Sequence, residues 1–169
     1  MGAITNRPQR IAVDANVLFD LAADVDDVFE AVSIIRGRLH DAHFLIPPTV
    51  QHELAHWTSR GDAGKRELAR SAIQLSQSLR IVPASLIAPK QVERIAEQIR
   101  ECELIPEEEV NDSLVLAESA FLGCSILLTS DEHLRGIDFE RLTLELQTFD
   151  VVAPIIATPR EIVRKFFRR

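Results

Sequence analysis

The chain has 169 residues, of which 46% are hydrophobic, and this length and composition suit one folded domain with a proper core. Its formal net charge of −7, from 19 basic and 26 acidic residues, argues against a protein that coats nucleic acid through many cationic contacts. No apolar run approaches the length of a membrane span, and residues 1–10 lack the apolar core of a signal peptide, so we expect a cytoplasmic protein.

The first predicted strand covers residues 10–13 and ends at an acid, Asp14. A lone acid at a strand end is more often a turn or cap residue than a ligand, so a functional role for Asp14 depends on companions elsewhere in the chain. Asn16 stands two residues later, where it can orient the Asp14 carboxylate or cap the element that follows. Asp14 is therefore the first candidate for a functional site.

The next elements are a predicted helix over Val25–His40 and a strand over His43–Ile46, which two prolines end. Thr49 has the residue type and position of an N-cap for a further helix. Glu53 lies about one turn into that helix and is the second candidate acid.

The same helix contains a literal H-E-x-x-H motif, His52–His56. In zinc peptidases with this motif, two histidines one turn apart hold zinc and the Glu activates water. The longer metzincin form is absent, because Ser59 stands where it has Gly and Asp62 where it has a third His. A zinc-dependent peptidase that uses His52, Glu53 and His56 remains an alternative function.

The middle of the chain predicts a helix near residues 65–79, a brief strand over 80–82 and a helix over 89–102. Pro106 and the acids at 107–109 are predicted to start the helix that follows. None of these elements adds a candidate functional acid.

The most informative stretch is VNDSLVLAESAFLGCSILLTSD, residues 110–131. It predicts a helix with Asp112 in its first turn, a stop at Gly123, and a strand over 125–129 whose apolar run is typical of a parallel strand buried on both faces. Asp131 follows that strand, and in open α/β sheets ligands bind beyond the carboxyl ends of strands. Asp112 and Asp131 are therefore predicted to share one site.

The last elements are a predicted helix over 139–146, a strand over 150–156, and a helix that Thr158 caps before Pro159. Strands thus alternate with helices along the whole chain. This alternation predicts an α/β domain with a mainly parallel central sheet, spanning residues 1–169.

Four acids fall at strand ends or helix starts: Asp14, Glu53, Asp112 and Asp131. Three or four carboxylates in one cluster cannot all stay ionised without a cation. Hard divalent cations prefer such oxygen ligands, and metal-activated water attacking a phosphodiester is a reaction that this kind of site supports.

Four segments in this order resemble PIN-domain ribonucleases, including toxins of the VapC type: IAVDANVLFD, IPPTVQHEL, VNDSLVLAESAFLGCSILLTSD and ATPREIVRKFF. The resemblance implies a three-layer α/β/α sandwich and an endoribonuclease in which Asp14, Glu53, Asp112 and Asp131 hold Mg²⁺ or Mn²⁺. It also implies that Asn16 and Thr129 match the polar residues that accompany the first and last acids. RNA is the partner that the resemblance implies, with an antitoxin protein and a second copy of the chain as further candidates.

Two rival interpretations belong to other classes. A phosphatase of the haloacid dehalogenase type needs a second Asp two residues after the first, and Asn16 stands there instead. A non-catalytic PIN-like binding module would lose acids, whereas all four are present, but it remains an alternative.

An RNA substrate requires cationic side chains along the approach to the acids, despite the net negative charge. The sequence offers Arg36, Arg38, Lys65 and Arg66 as substrate-binding candidates.

Overall fold

The computed structural model of the protein describes residues 7–39, 41–85 and 88–167. One sheet contains the strands β1 (Arg10–Val13), β2 (His43–Ile46), β3 (Ile81–Pro83), β4 (Ile126–Leu128) and β5 (Ile155–Ala157). The helices in the described ranges are α1 (Ala15–Ala22), α2 (Asp26–Arg38), α3 (Pro48–Ser59), α4 (Ala63–Ser78), α5 (Pro89–Glu101), α6 (Val110–Phe121), α7 (Glu132–Arg135), α8 (Phe139–Gln147) and α9 (Pro159–Phe167).

The sheet is parallel throughout, with the strand order β3-β2-β1-β4-β5. In the central strand β1, Ile11 lies opposite Phe44 of β2 on one side and Ile126 of β4 on the other. Ile11 and its neighbour Ala12 are fully buried, as expected for a strand covered by helices on both faces. These features confirm the three-layer α/β/α sandwich.

The strand order also fixes where a site can form. From β1 the chain moves outward to β2 and β3, whereas β4 and β5 lie on the other side of β1. The order therefore reverses between β1 and β4, and a crevice at the carboxyl ends of these two strands is the usual binding place in open α/β sheets. Asp14 follows β1 and Asp131 lies just after β4, so both acids border this crevice.

Three predicted element starts are wrong, and each has a local cause. Helix α6 starts at Val110, because residues 106–109 form a turn in which the Glu109 N–H donates to the Pro106 carbonyl at 3.1 Å. Strand β5 starts at Ile155 and not at residue 150, because Asp150 has a positive φ of 57° and Pro154 has no N–H to donate. Thr49 does not cap α3, which begins one residue earlier, at Pro48, with no side-chain cap.

Other differences are smaller. Helices α1 and α7 are additional to the predicted elements. Helix α4 begins at Ala63, because Asp62 accepts a hydrogen bond from the Lys65 N–H and caps it. Helix α2 ends at Arg38, and the predicted end at His40 lies outside the described residues. Within the described ranges, no helix combines the length and the apolar character that a membrane crossing requires.

Candidate active site

Asp14 is a buried acid that several donors hold in one orientation. Its Oδ1 accepts from the Ala15 N–H at 2.7 Å, so it caps α1. Its Oδ2 accepts from the Thr129 hydroxyl at 2.7 Å and from the Asn16 amide at 3.3 Å. Burial raises the pKa of Asp14, and the hydrogen bond from Thr129 is the largest opposing influence. The Asp14 carboxyl group is therefore the cap of α1 and is also held in one orientation at the carboxyl end of β1.

Asn16 and Thr129 join the ends of β1 and β4. The Asn16 amide lies 3.3 Å from the Thr129 hydroxyl, and the Asn16 Oδ1 accepts from the Ser130 N–H at 3.0 Å. The Asp131 N–H donates to the Thr129 hydroxyl at 3.1 Å. A single network therefore fixes the loop after β4 relative to Asp14.

Asp131 is the N-cap of α7, and only one of its carboxylate oxygens accepts the capping hydrogen bonds. Its Oδ1 accepts from the N–H groups of His133 and Leu134 at 2.8 and 3.1 Å. No protein hydrogen bond to its Oδ2 is found in the described part of the chain. One oxygen of Asp131 thus remains available to a ligand in the crevice.

Asp112 is the acid that α6 contributes to the cluster. It is the third residue of α6, and its Oδ2 is buried without a hydrogen-bond partner among the described residues. Burial raises the pKa of Asp112 to about 7, with the negative charges of Asp131, Asp14 and Glu109 adding to the effect. A buried acceptor without a hydrogen-bond partner is costly, and a bound cation would remove that cost.

Glu53 approaches the same centre from α3. Burial raises its pKa, the charge of Asp14 raises it further, and the charge of Lys65 lowers it. Four acids from four separate parts of the chain therefore act electrostatically on one another at the carboxyl edge of the sheet.

The donor set fits a hard divalent cation that keeps part of its water. In the described part of the chain, no group of three or more His, Cys, Asp or Glu side chains is arranged so that it could hold a metal ion by itself. Mg²⁺ does not need one, because it is usually bound through one or two carboxylates, waters and substrate phosphates. The buried Oδ2 of Asp112, whose carboxyl group is within electrostatic reach of Asp14 and Asp131, is the oxygen that such a cation would satisfy.

Comparison with known proteins agrees with this geometry. A family model described as PIN domain matches residues 11–140, a range that includes all four acids. The chain belongs to the PIN domain family. The PIN fold is shared with a chain in the crystal structure of VapBC2 from Rickettsia felis bound to a DNA fragment from their promoter. That match has a TM-score of 0.61 at 14% identity and covers 89% of this chain and 98% of the other. A search of curated proteins gives no match.

The two histidines of the H-E-x-x-H motif in this PIN domain are exposed on α3. His56 contacts Trp57 edge to face, with ring centroids 5.1 Å apart. Glu53, in contrast, lies at the carboxyl edge of the sheet, where the charge of Asp14 raises its pKa and the charge of Lys65 lowers it. The motif is thus split between a solvent-facing histidine pair and an acid that belongs to the four-acid cluster.

The cationic candidates fall at two different ends of this PIN domain. Arg36 donates to the Leu79 carbonyl and lies 5.0 Å above the Phe44 ring, beside the start of β2, and the exposed Arg38 follows it on α2. The acids lie at the opposite edge of the sheet. Lys65 lies in the first turn of α4, and its charge lowers the pKa of Glu53. Arg66 follows it on the same helix. The structure therefore brings Lys65 to the acids and leaves Arg36 away from them.

Glu118 is a supporting residue that sequence reasoning did not identify. It is buried in α6 and accepts from the N–H and the hydroxyl of Thr49, at 3.0 and 2.6 Å. This carboxylate ties α6, which carries Asp112, to the start of α3, which carries Glu53. A charged residue between Ala117 and Ser119, within an otherwise buried helix face, was the signal that could have identified it.

Proposed function

We propose that this PIN domain is a Mg²⁺- or Mn²⁺-dependent endoribonuclease that hydrolyses RNA phosphodiesters at Asp14, Glu53, Asp112 and Asp131. The observation that carries the proposal is the buried Oδ2 of Asp112, which has no partner among the described residues and whose carboxyl group feels the charges of Asp131 and Asp14. A structural acid would have a donor there. An acid that completes its coordination only with a cation would not.

The chain's own residues have distinct parts in this scheme. Asp14 and Asp131 are oriented by fixed donors, and Asp112 contributes the oxygen without a partner. Asn16 and Thr129 keep the two strand ends in register, so the separation of Asp14 and Asp131 does not depend on a flexible loop. A bound Mg²⁺ or Mn²⁺ would supply Lewis-acid stabilisation of phosphate charge and a more acidic water. Lys65 would offset the negative charge of the site as RNA approaches.

The zinc-peptidase alternative has weaker support. Its two histidines are exposed on the surface of α3. A catalytic zinc site normally has three protein ligands in a shaped cavity. The double variant His52→Gln/His56→Gln therefore discriminates between the two functions.

The test is cleavage of single-stranded RNA with Mg²⁺, with Mn²⁺ and with EDTA. Asp131→Asn should abolish most cleavage while keeping an oxygen to cap α7, so that a loss of activity does not reflect a loss of fold. The histidine double variant should retain cleavage within about tenfold, because a ligand loss costs more than that. Full activity in Asp131→Asn, or stoichiometric zinc and a peptidase activity that the double variant loses, would refute the proposal.

We further propose that the protein acts as the toxin of a toxin–antitoxin pair. The support is the fold shared with a chain of VapBC2, which is a complex bound to its own promoter DNA. Expression of the wild type should arrest growth, whereas Asp131→Asn should not, and a protein encoded beside it should relieve the arrest. Growth arrest of equal strength with Asp131→Asn would contradict the toxin role.

A further inference from the structure

Lys65 lies between two aromatic rings beside the acidic centre. Its Nζ is 4.4 Å from the centroid of Phe19 on α1 and 4.8 Å from the centroid of Trp57 on α3. Both distances are within the range of a cation–π interaction. The flexible stem of a lysine usually leaves its ammonium group unrestrained. Here, two rings from two different helices restrain it.

The turn before α4 fixes both the lysine and one of the rings. Asp62 accepts from the Lys65 N–H at 2.7 Å and so sets the first turn of the helix. Gly61 has a φ of 120°, and a Cβ added there would lie 3.1 Å from Cε3 of Trp57. The backbone at Gly61 therefore lies close to the indole, and a side chain there would be strained by the positive φ and would crowd the ring.

This aromatic–lysine cluster (Phe19, Trp57 and Lys65) borders Glu53, one of the four acids. Glu53 and Trp57 are four residues apart on α3 and so lie on the same face, one turn from each other. The charge of Lys65 acts on Glu53. Yet Lys65 forms no ion pair with a carboxylate anywhere in the described chain.

Holding an ammonium group by rings has a different consequence from holding it by an acid. A carboxylate partner would neutralise the charge, whereas an aromatic face attracts the cation and leaves its net charge intact. The restrained ammonium can therefore still attract an anion. In a chain with a net charge of −7, a restrained cation that forms no ion pair in the described chain is suited to a polyanionic ligand.

We propose that Lys65 binds a backbone phosphate of the RNA strand next to the scissile one, and that Phe19 and Trp57 are positioning residues that hold its ammonium group there. This inference rests on the proposed ribonuclease function and specifies how that site engages its substrate. On this proposal Phe19 and Trp57 affect RNA binding only through the position of the Lys65 ammonium group, so their effect should disappear when Lys65 is removed.

The first measurement is the salt dependence of RNA binding. A fluorescently labelled single-stranded oligoribonucleotide is titrated with protein in EDTA at several salt concentrations. Lys65→Ala should weaken binding and reduce the slope of log K against log salt by about 0.7, the value for one phosphate contact on a single strand. Arg70→Ala, which removes an exposed charge from the same helix, is the matched control and should leave the slope unchanged. An unchanged slope in Lys65→Ala overturns the inference.

The second measurement separates positioning from structure by a double-mutant cycle. Trp57→Leu should weaken RNA binding about two- to tenfold, the factor that corresponds to a lost cation–π contact. Trp57→Phe keeps an aromatic face and should bind nearly as tightly as the wild type. In the Lys65→Ala background, Trp57→Leu should have no further effect. A full additional loss in that background would show that Trp57 acts through the fold and not through the lysine.

Failure of this inference can be told from failure of the proposed function. If the wild type cleaves RNA but Lys65→Ala binds RNA as tightly as the wild type, only the phosphate site is overturned. If Lys65→Ala reduces the salt slope as expected but the wild type shows no metal-dependent cleavage, the nuclease function is overturned and an RNA-binding site remains. Trp57 is the only tryptophan in the chain, so its emission should change when RNA saturates the wild type. Emission that stays constant contradicts the placement.

Discussion

Replacement of Asp112 by Asn should stabilise the metal-free protein at pH 8. Burial, with the charges of Asp131 and Asp14, raises the pKa of Asp112 to about 7, whereas an unfolded Asp titrates near about 4. Between these two values the native state holds a proton that the unfolded state has released. The free energy of unfolding therefore falls as pH rises through this window, and the loss is complete above about pH 7.

The magnitude follows from the width of the window. About three pH units at about 1.4 kcal/mol each give an upper bound of about 4 kcal/mol. Asp112 is only partly buried, so water screens part of the effect, and we expect about 1–2 kcal/mol. Asn has the same shape without the charge, so Asp112→Asn should recover this amount at pH 8 and much less at pH 5.

The assay is urea unfolding of wild type and Asp112→Asn in EDTA at both pH values. Glu108→Gln removes a charge from the exposed turn before α6 and serves as the control, with no expected gain at either pH. The reasoning is refuted if Asp112→Asn is less stable than wild type by the same amount at pH 5 and pH 8. That result would make Asp112 a helix-terminal residue and nothing more.

Three further outcomes are expected. Thr129→Val should cost about 1–3 kcal/mol in urea unfolding, because it removes a buried donor to Asp14, and Thr129→Ser should cost much less. Gly61→Ala should lower thermal stability because of its positive φ and the close Trp57 ring, whereas Gly64→Ala, inside α4 without that φ, should be neutral or stabilising; equal effects would contradict the packing argument. Burial raises the pKa of Cys124 to about 12, so its thiol should resist a thiol reagent at pH 8 until urea unfolds the protein, and prompt reaction in the native state would show that the site is open.

The sequence predicted the sheet well because its strands are short apolar runs. Residues 10–13 and 43–46 are strands β1 and β2 as predicted, and the runs after residues 80 and 125 are shifted by one residue at their starts. Parallel strands buried on both faces have few polar residues, so their position is visible without knowledge of their neighbours. The boundaries that failed, at Thr49, Pro106 and Asp150, depend on turn geometry and on tertiary contacts.

The candidate site was only partly accessible from sequence. Acids at strand ends could be identified because the carboxyl edge of a parallel sheet brings them together. The aromatic–lysine cluster could not, because Phe19, Trp57 and Lys65 meet only when three helices pack. Arg36 shows the converse: its charge suited RNA, but α2 places it at the other end of β2. Helix faces are set by packing, and charge alone does not reveal them.

The central claim is that the acids form a metal site, and Mn²⁺-induced stabilisation tests it most directly. Binding to the native state raises stability by RT ln(1 + [L]/Kd), about 2.7 kcal/mol at a hundredfold excess over Kd. Thermal melting with and without Mn²⁺ should show a shift in wild type and Glu108→Gln, and little shift in Asp112→Asn. If Asp112→Asn retains the full Mn²⁺ shift, Asp112 is not a ligand and the four-acid site is wrong.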